Sequence, residues 1–156
     1  MKPKLILVFI AFIACLTAKA QQQTADLPNS VLAGQISIII KKLGLPADSA
    51  GNYLTALGQF KKTQETTTDV FYNCKEYDAT IDLKKDGAGI TRLIVCDLPV
   101  SMLSTAQKAI AMMGMVASGT AAPPGFTAYA TPRYAAFLNP ERRKGYLGLV
   151  LVEGGH

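Results

Sequence analysis

The 156-residue chain predicts an α+β fold. The expected architecture is a helical hairpin, a central β-hairpin, a third helix and C-terminal antiparallel strands. They would form one mostly antiparallel sheet with the helices on one face. Three observations carry this. Tyr77 to Lys84 alternate strictly, with Tyr77, Ala79, Ile81 and Leu83 against Asp78, Thr80, Asp82 and Lys84, the period of a half-buried strand. Tyr146 to Glu153 is apolar on both faces, which suits a strand covered on both sides. Ahead of the first strand and again after Pro99, apolar residues recur at helical spacing.

The N-terminus reads as an export signal. Lys2 and Lys4 are followed by an unbroken apolar run from Leu5 to Leu16, then by the small-residue site Ala18-Lys19-Ala20. That is the layout of a secretory signal peptide over residues 1–20, and the run is too short to span a bilayer comfortably. A competing fate is lipidation at Cys15, because Phe12-Ile13-Ala14-Cys15 loosely resembles a lipobox. Phe12 fits its first position poorly, so cleavage after Ala20 is favoured. The expected product is exported, periplasmic or extracellular, with a lipid-anchored envelope protein as the alternative. Residues 21–27 form a polar lead-in, 28–153 a single domain and 154–156 a frayed tail.

Cleavage changes the electrostatics. The full chain carries a formal charge of +5, and losing Lys2, Lys4 and Lys19 leaves 13 basic against 11 acidic residues, or +2. No basic cluster studded with aromatics remains, so nucleic acid is not an expected partner. No transmembrane span is expected in the mature chain, because Gln107 and Lys108 interrupt the third helical stretch.

In the mature chain, Leu27-Pro28-Asn29-Ser30 offers a proline and capping side chains. Val31, Leu32, Ile36, Ile39, Ile40 and Leu43 then give a helix stopped by Gly44. After the turn at Pro46 to Ser49, Tyr53, Leu54, Leu57 and Phe60 predict a second helix that ends near Lys61-Lys62.

In the central hairpin, Lys85 to Gly89 supplies the turn and Ile90 to Cys96 the partner strand. Charge pairing favours the register that sets Arg92 opposite Asp82, Leu93 opposite Ile81 and Val95 opposite Ala79. Asp69 to Tyr72 can form a preceding strand, with a turn near Asn73 to Glu76. Such a turn is needed for a disulfide between Cys74 and Cys96, which export makes somewhat more expected than two buried free thiols.

The third helix runs from Pro99 or Ser101 through Met102, Leu103, Ala106, Ala109, Ile110, Met113, Val116 and Ala117. Its cluster Met112, Met113 and Met115 fits core filling better than soft-metal binding, since no His or Cys accompanies it. A loop from Gly119 to Gly125 precedes strands at Phe126 to Thr131, Tyr134 to Leu138 and Tyr146 to Glu153, with a charged turn at Asn139 to Gly145. The element order also permits a cone-like sheet wrapped around a helix, as in cystatin-like or nuclear-transport-factor-like domains.

Little chemistry is on offer. The single histidine is the terminal His156, which disfavours Ser-His, Cys-His and histidine-zinc sites. Cys74 and Cys96 lack CxxC spacing, and no glycine-rich phosphate loop appears. No cofactor or metal is expected. The function expected is that of a small exported, non-catalytic binding module for a small molecule or a protein. Its pocket would be lined by Met112, Met113, Met115, Tyr129 and Tyr134, with Arg133 as the fixed charge. The alternative is an enzyme using carboxylates or tyrosines in the same pocket.

Overall fold

The computed structural model describes residues 29–119 and 122–154. The export signal, Cys15, the lead-in and the last two residues of the tail lie outside the described residues. Among the described residues, three helices and eight strands form the expected α+β arrangement. Helix α1 covers residues 29–39 and tightens into a 3-10 turn, Ile40–Lys42. Helix α2 is Ala47–Ala56 and α3 is Leu103–Met112. The strands are β1 (Lys61–Glu65), β2 (Asp69–Cys74), β3 (Ala79–Lys85), β4 (Thr91–Pro99), β5 (Val116–Ala117), β6 (Thr127–Ala130), β7 (Tyr134–Arg143) and β8 (Tyr146–Glu153). No helix among the described residues is long and apolar enough to cross a membrane.

All eight strands belong to one antiparallel sheet, ordered β1-β2-β3-β4-β8-β7-β6-β5. The order has a two-fold logic. Each half is a helix followed by a four-stranded meander, and the last strands, β4 and β8, meet at the centre. Helix α1 has no counterpart in the second half.

One face of the sheet meets the helices. Tyr72, Ile81, Cys96 and Leu149 lie in one register row, and Leu83, Ile94 and Leu151 in another. These pack with Leu32, Ile36 and Ile39 of α1, Leu54 of α2, and Ala106 and Ile110 of α3 in one core. Each buried leucine or isoleucine stabilises by about 1.5–3 kcal/mol. A one-residue slip would turn Leu147, Leu149 and Leu151 to the opposite face, so burial holds this register.

The central hairpin forms, but three residues out from the expected register. Ile81 faces Cys96, Asp82 faces Val95 and Leu83 faces Ile94. The turn explains the shift. Asp86 Oδ1 accepts hydrogen bonds from the amides of Ala88 and Ile90, both at 3.0 Å, so the loop runs to Ile90 and Lys85 pairs with Thr91. The α1–α2 connection then clamps that turn, with Gly44 N donating to Thr91 O, Thr91 N to Leu45 O and Ala47 N to Gly89 O, each at 2.9 Å. The charges find other partners: Arg92 pairs with Asp86 at 2.7 Å, and Lys84 with Asp82 at 2.9 Å.

The disulfide does not form; Cys74 and Cys96 are buried free thiols. The chain does turn after Cys74, but into a hairpin whose returning strand, β3, lies between β2 and β4. Cys74 is thus two strands and two residues away from Cys96. At about 4.8 Å per strand and about 3.3 Å per residue their Cα atoms are roughly 12 Å apart. A disulfide needs less than about 7 Å. Burial pushes the Cys96 thiol up to about 12.

Three boundaries also move. Helix α2 stops at Ala56, and Lys61-Lys62, expected at the helix end, instead open the edge strand β1. Its two lysines and the bulge between Lys62 and Gln64 discourage further pairing at that edge. Helix α3 stops at Met112 because Gly114 takes φ +70° and closes a Schellman motif. Gly114 N bonds Ala111 O at 2.9 Å and Met115 N bonds Ile110 O at 3.3 Å. Val116 and Ala117, expected on the helix, form β5. Strand β7 extends through most of the expected charged turn to Arg143, leaving a two-residue connection in which Gly145 takes φ +82°.

Candidate functional site

The end of α1, the end of α3 and the start of β7 enclose a half-open cleft of about 250 Å³. Its lining is Ser37, Ile38, Ile40, Lys41, Met112, Met113 and Tyr134. Of the six residues expected to line a pocket, Met112, Met113 and Tyr134 come together here. Met115 does not. The Schellman turn reverses the chain at Gly114 and drives Met115 into the core, where it is 6 % exposed. This also removes the one-turn spacing of Met112 and Met115 on a helix.

Tyr129 packs against the core from β6, on the helix-facing side of the sheet opposite Ala136. Arg133 is exposed and its guanidinium sits 5.1 Å from the centroid of the Tyr134 ring, a cation–π contact at the strand entrance. The backbone there is fixed: Tyr134 N donates to Thr131 Oγ1 at 3.0 Å, and Gly154 N to Arg133 O at 2.7 Å.

The cleft is apolar at its base and at its mouth. Ile40 is buried, while Ile38 is 43 % and Met112 54 % exposed. Val31, Gly34 and Ile38 fall on one stripe of α1. A Cβ at Gly34 would stand 3.7 Å from the Met112 methyl, so Met112 lies across this stripe. Ser37 turns its hydroxyl back to Gly34 O at 2.7 Å, leaving the Lys41 ammonium as the only charge among the lining residues. Ser37, Ile38, Ile40 and Lys41 are the lining residues that sequence reasoning missed. Ile38 lay inside a run of three isoleucines, and only its exposure singles it out.

Among the described residues no carboxylate lines the cleft, and Asp78, Asp82 and Asp97 lie elsewhere. Asp82 is on the sheet face opposite the three described helices, where desolvation pushes its carboxyl above the ordinary range despite the Lys84 ammonium. Asp78 lies in the β2–β3 turn with φ +48° and accepts a 2.5 Å hydrogen bond from the Tyr146 hydroxyl. Asp97 pairs with Arg142 at 2.8 Å. No group of three His, Cys, Asp or Glu side chains converges among the described residues.

That face carries a second apolar field. The row Val95, Val150, Phe137, Ala128 and the row Leu93, Val152, Ala135, Ala130, Val116 cross from β4 to β5 on the side away from the core. Val95 and Ala128 are each 6 % exposed, and Val116 at the sheet edge is 70 % exposed. Toward β2 the same face turns polar, with Lys84 bridging Asp69 at 2.5 Å and Asp82 at 2.9 Å.

Comparison with family models, curated proteins and solved structures finds no match to this chain.

Proposed function

We propose that this protein is a small exported, non-catalytic binding module that seats an apolar group in the cleft between α1, α3 and β7. The observation that carries the reading is the exposure of Ile38 and Met112 at the mouth of a cleft based on Ile40. Large apolar side chains held in water at a concave site favour an apolar occupant, and a methionine adapts its shape to one. At about 250 Å³ the cleft is smaller than the roughly 300–1,000 Å³ of a typical small-molecule site. Its size suits one apolar side chain of a protein partner, or the apolar end of a small ligand, with Lys41 placed to meet an acidic group beside it.

The test begins with the protein exported by its own host, recorded intact under native conditions. A bound small molecule or a co-purifying protein that is absent from an Ile38→Lys variant supports the reading. Equal retention of the same species by wild type and variant overturns it. The same spectrum decides the anchor, since a chain beginning at Gln21 and one beginning at a lipidated Cys15 differ in mass.

A second reading rests on the opposite sheet face, whose two apolar rows, ending in the 70 % exposed Val116, offer a surface to a protein partner. Loss of the bound species on Phe137→Lys, with Ile38→Lys inert, assigns binding to that face instead.

A further inference from the structure

On the helical layer, apart from the cleft, lies a cavity of about 230 Å³ lined by Asn29 and Ser30 of α1 and by Ser104, Thr105 and Lys108 of α3. Every lining side chain is polar and none is acidic. Lys108 Nζ donates to Ser30 Oγ at 2.6 Å, which ties the two helices across the cavity and holds the ammonium at its rim. Thr105 sits deepest. It is 1 % exposed, and its Oγ1 has no hydrogen-bond partner.

That hydroxyl is one of four buried side-chain atoms without a partner among the described residues, with Gln35 Oε1, Asp82 Oδ1 and Thr91 Oγ1, and of these only Thr105 lines this cavity. A buried polar atom left unpaired is expensive, and most are satisfied in folded proteins. Valine would fill the same volume in the helix without the cost. A threonine is explained if something occupies the cavity and accepts its hydrogen. The other donors describe that occupant. Ser104 and Asn29 border the same space, and the Lys108 ammonium supplies positive charge with no carboxylate among the lining residues to neutralise it. Donors converging from two helices suit a group with several acceptor oxygens pointing in different directions. A planar carboxylate presents two; a tetrahedral oxyanion presents three or four.

We propose that the cavity between α1 and α3 binds a tetrahedral oxyanion, a phosphate or sulfate group, through the Thr105 hydroxyl at its floor and the Lys108 ammonium at its rim. The site is separate from the apolar cleft, and the proposal does not depend on what that cleft binds. The free anion and its monoester share this chemistry.

The experiment is an NMR titration of the full exported chain with sodium phosphate, sodium sulfate and glycerol 3-phosphate, ionic strength being held constant with sodium chloride. Saturable shifts are expected at the amides of residues 29–30 and 104–108. Tighter binding of glycerol 3-phosphate than of either free anion identifies an esterified ligand; the reverse order identifies the free anion. Thr105→Val and Lys108→Gln should each weaken binding about tenfold or more. Without anion, Thr105→Val should unfold at a temperature equal to or above that of wild type, which separates loss of a ligand contact from loss of the fold. No saturable shift up to about 50 mM anion, or equal affinity in wild type and both variants, overturns the proposal.

Discussion

Replacing Gly51 with alanine tests how closely α2 is seated on the sheet. The added Cβ would stand 2.1 Å from the Tyr72 hydroxyl and 3.2 Å from Tyr72 Cζ. Gly51 has ordinary helical backbone, so nothing local opposes alanine. Helix propensity alone would favour it by about 1 kcal/mol. The contact reverses the sign. Tyr72 is 4 % exposed in the core beneath α2. It has little room to retreat, and overpacking of this kind costs about 1–3 kcal/mol. Gly51→Ala should therefore be neutral to destabilising by up to about 2 kcal/mol, the overpacking cost less the propensity gain. Tyr72→Phe removes the offending oxygen and leaves Cζ at 3.2 Å, which needs only a few tenths of an ångström of movement. In that background Gly51→Ala should be neutral or stabilising. Urea unfolding of wild type, both single variants and the double variant measures the coupling, expected at about 1–3 kcal/mol. A coupling within about 0.5 kcal/mol of zero would refute the claim that the Tyr72 hydroxyl fills the space a Cβ would need.

Two further predictions concern titratable groups. Cys74 and Cys96 should both resist thiol reagents in the native state, react only on unfolding, and add two labels to the intact mass of a chain beginning at Gln21; rapid native labelling, or such a chain lighter by two hydrogens, contradicts the buried free thiols. Glu65 is held down to about 2 by hydrogen bonds from Lys62, first, and Lys85. Its ordinary value is about 4.3, so its contribution to stability is present above that pH and lost as the pH falls toward about 2. The pair is exposed and screened, so the contribution is small. An NMR titration should place its midpoint near 2 and higher in Lys62→Met; a wild-type midpoint near the ordinary value of about 4.3 would show that the ion pair is not held in solution.

The helical hairpin, strands β3 and β8, and the α+β class were legible because each rests on a local period. Strand β8 occupies Tyr146–Glu153, as its pattern indicated. Boundaries failed where two signals competed. The apolar pattern of α3 continues past Gly114, and the glycine's backbone freedom decides against the pattern. Strand β1, Lys-Lys-Thr-Gln-Glu, has no apolar alternation at all, because it is an exposed edge held by backbone hydrogen bonds to β2. Of the expected pocket, Met112, Met113 and Tyr134 were recoverable from helix spacing and strand position, whereas Ile38 and Lys41 enter through the packing of α1 on α3.

By itself, then, the amino-acid order determined the helical hairpin, strands β3 and β8 and which of their faces are apolar, since 3.6- and 2-residue periods are properties of the local chain. Only the tertiary structure decided the register of β4, with apolar residues on both its faces. There the Asp86 turn and its clamp by residues 44–47 break the tie. Tertiary structure also decided the fate of the two cysteines. Their separation depends on which strand lies between them, and β3 keeps them apart.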